Sequence, residues 1–119
     1  MRLPRKCSMT RSEDFARVKT TGQAKAGRFV ILSTLAEPSL DGIRTGFITS
    51  RRSAKKAHDR VLVRRRFRAL VQAHAPNFTD PRRFLVTIAR SGAAQATYAE
   101  LEADWVRQAH RLGLYKPSA

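Results

Sequence analysis

From Arg51 to Arg68 the chain reads RRSAKKAHDRVLVRRRFR, with nine Lys or Arg residues and a single acid, Asp59. Seven of the nine are arginine. A guanidinium is planar and forks onto two phosphate oxygens at once, which a lysine ammonium cannot do. Burying unpaired charge is too costly for a core to absorb this run. It must lie on a surface, against a polyanion, an acidic partner or solvent. Solvated helix faces usually interleave Glu and Asp at four-residue steps. This run does not, so phosphate recognition, and with it nucleic acid, is favoured over a plain solvated face.

Residue sets for covalent or metal chemistry are missing by contrast. There is no G-x-S-x-G, no phosphate-binding P-loop and no clustered carboxylate pair. His58, His74 and His110 are scattered, without metal-ligand spacing. His74 reads as a satisfied core histidine. Glu13-Asp14 and Glu100, Glu102 and Asp104 read as helix-start charges that favour the helix dipole. No catalytic residue and no metal ligand is assigned, and the chain is unconvincing as a free-standing enzyme. Phe15 could be core or a stacking platform, and spacing alone favours core. Tyr115 could be a tail residue or an exposed aromatic able to stack on an unpaired base.

The scaffold must hold that run in place. The sequence has 119 residues, 42% hydrophobic content and a net charge of +15. This size can bury one core without staples, so residues 1–119 are read as one domain, with 1–9 a flexible basic arm. The charge predicts attraction to nucleic acid. Cys7 is the only cysteine, which excludes an internal disulfide and fits a reducing compartment. No signal-peptide core and no membrane-length apolar run is visible. A soluble, cytoplasmic protein is expected, with no membrane partner.

The elements follow from local pattern. Thr10 and Glu13 have capping-box spacing, with Ser12 as another possible cap, for a helix over about 12–20 stopped by Gly22. Residues 23–27 could add a short strand, and Phe29–Leu35 is an apolar, β-branched strand. Pro38 and Asp41-Gly42 make a turn. Ile43–Ser50 is the next strand, expected to pair with its predecessor like a hairpin. A helix then runs from near Asp59 to about Ala73, ended at Pro76. Phe84–Ala89 is another strand. Thr97 and Glu100 form a second capping box. It opens an amphipathic helix through Tyr98, Leu101, Trp105, Ala109 and Leu112, closed by Gly113. A long helix between two strands of one sheet implies a crossover. The fold class is an α/β (α+β) two-layer sandwich on a small mixed sheet.

At 100° per residue, Val63, Phe67, Leu70 and His74 share one narrow sector of the basic helix, its core stripe. Arg60, Arg64 and Arg68 stack beside it. Arg65 lies on the far side and Arg66 on the opposite flank.

The order of elements and their motifs resemble the bacterial ribonuclease P protein family. Phe15 stands in SEDFARV. Gly46-Phe47-Ile48-Thr49-Ser50-Arg51-Arg52 matches the family's G-[LF]-x-[VT]-S-[KR]-[KR]. Residues Arg60–Arg68 match its arginine-rich helix, and Ile88-Ala89-Arg90 its last strand. The resemblance spans about Leu3 to Lys116. It implies an αβββαβα order with a left-handed βαβ crossover through the basic helix. It also implies a catalytic RNA subunit and precursor tRNA as partners, with no protein partner required. The reaction implied is hydrolytic removal of the 5′ leader, with Mg²⁺ held mainly by the RNA. By position it implies RNA binding by Arg51, Arg52, Lys55, Lys56, Arg60, Arg64, Arg65 and Arg68. Phe15 and Tyr115 would line a leader cleft. The chain departs from the pattern at Val61 and Leu62, where the family has Asn and Arg. Lys55-Lys56 stand in a loop one residue longer than usual. Lys19 and Ser33 occupy positions that are often aromatic.

Two other readings stay open on the residues alone. One is a non-catalytic RNA-binding protein such as a ribosomal protein. The other is a basic DNA-binding protein, which the missing helix-turn-helix spacing disfavours.

Overall fold

Alternating apolar residues fix the two faces of the sheet. The computed structural model describes residues 7–52 and 54–115. Its elements are α1 (Ser12–Thr21), β1 (Gln23–Ala26), β2 (Val30–Ala36), β3 (Arg44–Ile48), α2 (Ala57–His74), β4 (Arg83–Ala89) and α3 (Tyr98–Arg111). A single 3₁₀ turn at Ala75–Asn77 ends α2, where Pro76 cannot continue the ladder. Along β4, Leu85 and Ala89 join the main core, while Phe84 and Val86 join a second cluster. That is the period-two alternation of a strand buried on both faces.

On one face α2 contributes Val63, Phe67, Leu70 and Val71, and α3 contributes Leu101, Trp105 and Ala109, against Val30, Leu32 and Leu85. The Trp105 indole N–H donates to the Thr87 hydroxyl at 3.2 Å, so the buried ring leaves no polar atom orphaned. The expected sandwich of helices on a mixed sheet is therefore present. Helix α1 lies on the opposite face, where Val18 packs with Phe84 and Val86. It covers only part of that face.

Strand order is β1-β2-β4-β3. β2 pairs antiparallel with β1 and β4, and β3 runs parallel to β4, joined to it through α2. The expected hairpin of β2 with β3 does not form, because β4 lies between them. The connection over residues 37–43 is longer than a tight hairpin and can step over one strand, about 10 Å at the usual spacing.

Two helix ends behave differently. Thr97 and Glu100 form the expected reciprocal capping box on α3, and Gly113 takes φ +73° beyond its end. The box expected from Thr10 and Glu13 is absent: the cap of α1 is Arg11, with no side-chain cap bond. The Met9 N–H donates to the Thr45 carbonyl at 2.9 Å and Ser8 bridges to Thr45, which holds the chain just before the helix on β3. The distal end of the expected basic arm thus docks on the β3 edge. Its first six residues lie outside the described residues.

Candidate nucleic-acid interface

Strand β3 delivers the chain into the basic segment. Arg51, Arg52, Lys55 and Lys56 are exposed between β3 and α2, Arg65 and Arg68 are exposed on α2, and Arg64 is half-buried. Among the described residues none of these makes an ion pair with a carboxylate. The Asp59 carboxylate sits 3.0 Å from His58 instead. The core stripe expected for α2 is buried at Val63, Phe67 and Leu70, while His74 is half-buried and bonded to Glu102 at 3.0 Å.

Two arginines of the run are spent on the fold. An Arg60 N–H donates to the carbonyls of Ala54 (2.8 Å) and Lys55 (2.9 Å), closing the loop onto the helix. An Arg66 N–H donates to the Ala96 carbonyl at 2.8 Å, tying α2 to the segment before α3. The Arg68 guanidinium lies 5.7 Å from the Phe47 ring centre, a cation–π contact that leaves its N–H groups on the surface. One nitrogen of the Arg60 guanidinium is thus engaged inside the protein.

A groove of about 380 Å³ opens between α1 and the sheet. Phe15, Val18 and Lys19 form its wall, and Ala24, Ser33, Ile48, Val86 and Ile88 its floor. The Phe15 ring rests on Gly46, where an added Cβ would come within 2.5 Å of it. Phe15 thus packs with one edge and lines the groove with the rest. The volume is in the range of ligand sites, and its apolar floor with few polar groups suits the flat face of a base. The resemblance named Phe15 and the sheet, but not the individual floor residues. The signal was there in the alternate residues of β4 and β2 that the main core does not use.

Tyr115 does not join Phe15. It packs on the other side of the sheet, in a T-shaped contact with Phe78 (5.4 Å) and stacked on His110 (4.4 Å). An isolated bridge between Phe78 and Tyr115 fixes it there. Its hydroxyl is buried without a partner. Burial, and to a lesser degree the Glu102 charge, pushes the phenol up to about 12. Its apolar ring is satisfied by the aromatic cluster, which overrides the cleft position expected from the resemblance.

A second cavity, about 500 Å³, lies on the other flank of α1 and is lined by Arg11, Arg17 and Arg44. Here each guanidinium has an acid: Arg11–Glu13 at 3.6 Å, Arg17–Glu37 at 3.4 Å and Arg44–Asp41 at 3.5 Å.

Asp104 was missed as a structural residue. Expected as a helix-start charge, it is 7% exposed. Its carboxylate accepts the backbone N–H groups of Arg28 (3.2 Å), Phe29 (2.8 Å) and Val30 (3.1 Å), and the Gln108 amide at 3.2 Å. It locks the β1–β2 turn to α3.

The fold and these surfaces define a small basic α/β protein with an aromatic-walled groove on one sheet face and an uncompensated arginine run on a separate helix. The Ribonuclease P family model matches residues 3–113. The chain is 35% identical over 118 residues to the ribonuclease P protein component of Acidothermus cellulolyticus, covering 98% of this chain and 96% of that one. It is 35% identical over 99 residues to that of Chloroflexus aggregans, covering 83% and 72%. The Staphylococcus aureus RNase P protein superposes with a TM-score of 0.82 at 19% identity, over 92% of this chain and 98% of that one. This chain belongs to the ribonuclease P protein family. The ribonuclease P subunit expected from the sequence is what these relatives are named for.

Proposed function

We propose that this chain assists a catalytic RNA in removing the 5′ leader from precursor tRNA by holding two nucleic-acid segments at once. The unpaired leader lies in the groove against Phe15. Exposed cations of the 51–56 loop and of α2 hold the RNA subunit. The observation that carries this reading is the separation of the two surfaces. The groove suits an unpaired strand, and the uncompensated arginines suit a phosphate backbone.

The protein's own share is binding and positioning, and the chemistry belongs to the RNA. Mg²⁺ held by the RNA supplies the activated water and charge stabilisation. Among the described residues no group of three or more His, Cys, Asp or Glu could hold a metal ion. No helix among the described residues is long and apolar enough to cross a membrane. The proposed setting is the cytoplasm, with no further protein required.

The test is reconstitution with the organism's own ribonuclease P RNA and a leader-bearing precursor at low Mg²⁺. The chain should raise the rate of leader release above RNA alone. Equal rates with and without it would sink the proposal.

A further inference from the structure

The solvent side of α2 is not uniformly basic. At 100° per residue, His58, Val61, Leu62, Arg65 and Ala69 fall within one sector, opposite the buried Val63, Phe67 and Leu70. Val61 is 44% exposed, one of three exposed large hydrophobic side chains among the described residues. Leu62 and Ala69 are half-buried beside it. Arg64 and Arg68 border this ridge on one flank, and Arg65 rises from its middle. The outer side of the helix thus carries one exposed apolar side chain, Val61, with Leu62 and Ala69 half-buried beside it, a short ridge interrupted by Arg65 and edged by guanidiniums.

An exposed valine alone needs no explanation. Here it sits at the centre of the positively charged surface, where a bound phosphate would gain nothing from an isopropyl group. A base face or a ribose presents apolar area between flanking phosphates, and that alternation matches a ridge edged by arginines. An acidic protein partner is the rival occupant. It would need carboxylates spaced to meet Arg64, Arg65 and Arg68 around an apolar side chain.

We infer that Val61 and Leu62 press on an unpaired base or a ribose of the RNA partner, while Arg64, Arg65 and Arg68 hold the phosphates on either side. The inference rests on the proposed function, since it names what the RNA offers to α2.

The experiment measures affinity of the full chain for its own ribonuclease P RNA across a salt series, for wild type, Val61→Ala and Arg64→Ala. Thermal melts serve as a folding control. Val61→Ala should weaken binding about fivefold, the loss of roughly half a valine side chain's burial. The salt slope should not change, because no phosphate contact is lost. Unchanged affinity in Val61→Ala would overturn the inference, whether the ridge faces solvent or a protein. If Arg64→Ala still flattens the slope in that case, only the ridge assignment fails. If Arg64→Ala is also silent, the assignment of α2 to RNA fails with it.

Discussion

Two parts of this molecule are rich in arginine, and they do different work. Around α1 and the strand ends, Arg11, Arg17, Arg44 and Arg82 each have a carboxylate within 3.4–3.6 Å. The Arg82 backbone N–H holds the Asp80 carboxyl below its ordinary value, and burial lowers the neighbouring Arg83 guanidinium. These exposed pairs contribute little stability each, but they cancel the field. From Arg51 to Arg68, nine cations face one acid, and that acid pairs with His58. The placement of the acids, more than the number of arginines, decides which surface attracts a polyanion.

The largest effect expected is on a charge turned wholly inward. Asp104→Ala strips the acceptor from three backbone N–H groups and should cost about 3–4 kcal/mol in urea unfolding. A loss below about 1 kcal/mol would mean that the β1–β2 turn holds without it. Phe15→Ala should weaken binding of a leader-bearing precursor by about 1–3 kcal/mol, the value of one stacked base. Mature tRNA, which has no leader, should bind this variant as it binds wild type. Arg60→Ala tests the boundary between the two kinds of arginine. It should cost about 1–2 kcal/mol of stability through the lost bonds to Ala54 and Lys55, whereas Arg65→Ala should leave unfolding unchanged.

Tyr115→Phe should have the smallest effect, since the buried hydroxyl has no partner to lose. Its signature is in pH. The folded site favours the neutral phenol, so that contribution is complete below the ordinary value near pH 10 and is lost as pH rises toward about 12. Alkaline melts of wild type should fall faster over that window than those of Tyr115→Phe.

Elements whose signals are local were legible in the sequence. The core stripe of α2 and the capping box of α3 depend on residues three or four apart, and the β4 strand is a contiguous apolar run. Features that depend on distant partners were not. Thr10 and Glu13 have the spacing of a box, but Met9 is captured by Thr45 of β3. Asp104 looks like its neighbours Glu100 and Glu102 until the turn at residues 28–30 is folded onto it. Tyr115 follows a glycine stop like a tail residue, yet it meets Phe78 across the fold. The same limit applies to the site. The arginine run is visible in one dimension, whereas the groove under Phe15 joins two helix turns to residues of four strands.

The salt dependence of binding to the chain's own ribonuclease P RNA tests the contrast between the two arginine regions most directly. Replacing Arg64 and Arg65 together by Ala should flatten the slope of log K against log salt by roughly 1.4–1.8, two phosphate contacts' worth. Replacing Arg17 and Arg82 together should leave it unchanged. Equal shifts in the two double variants, or no shift in either, would contradict the account.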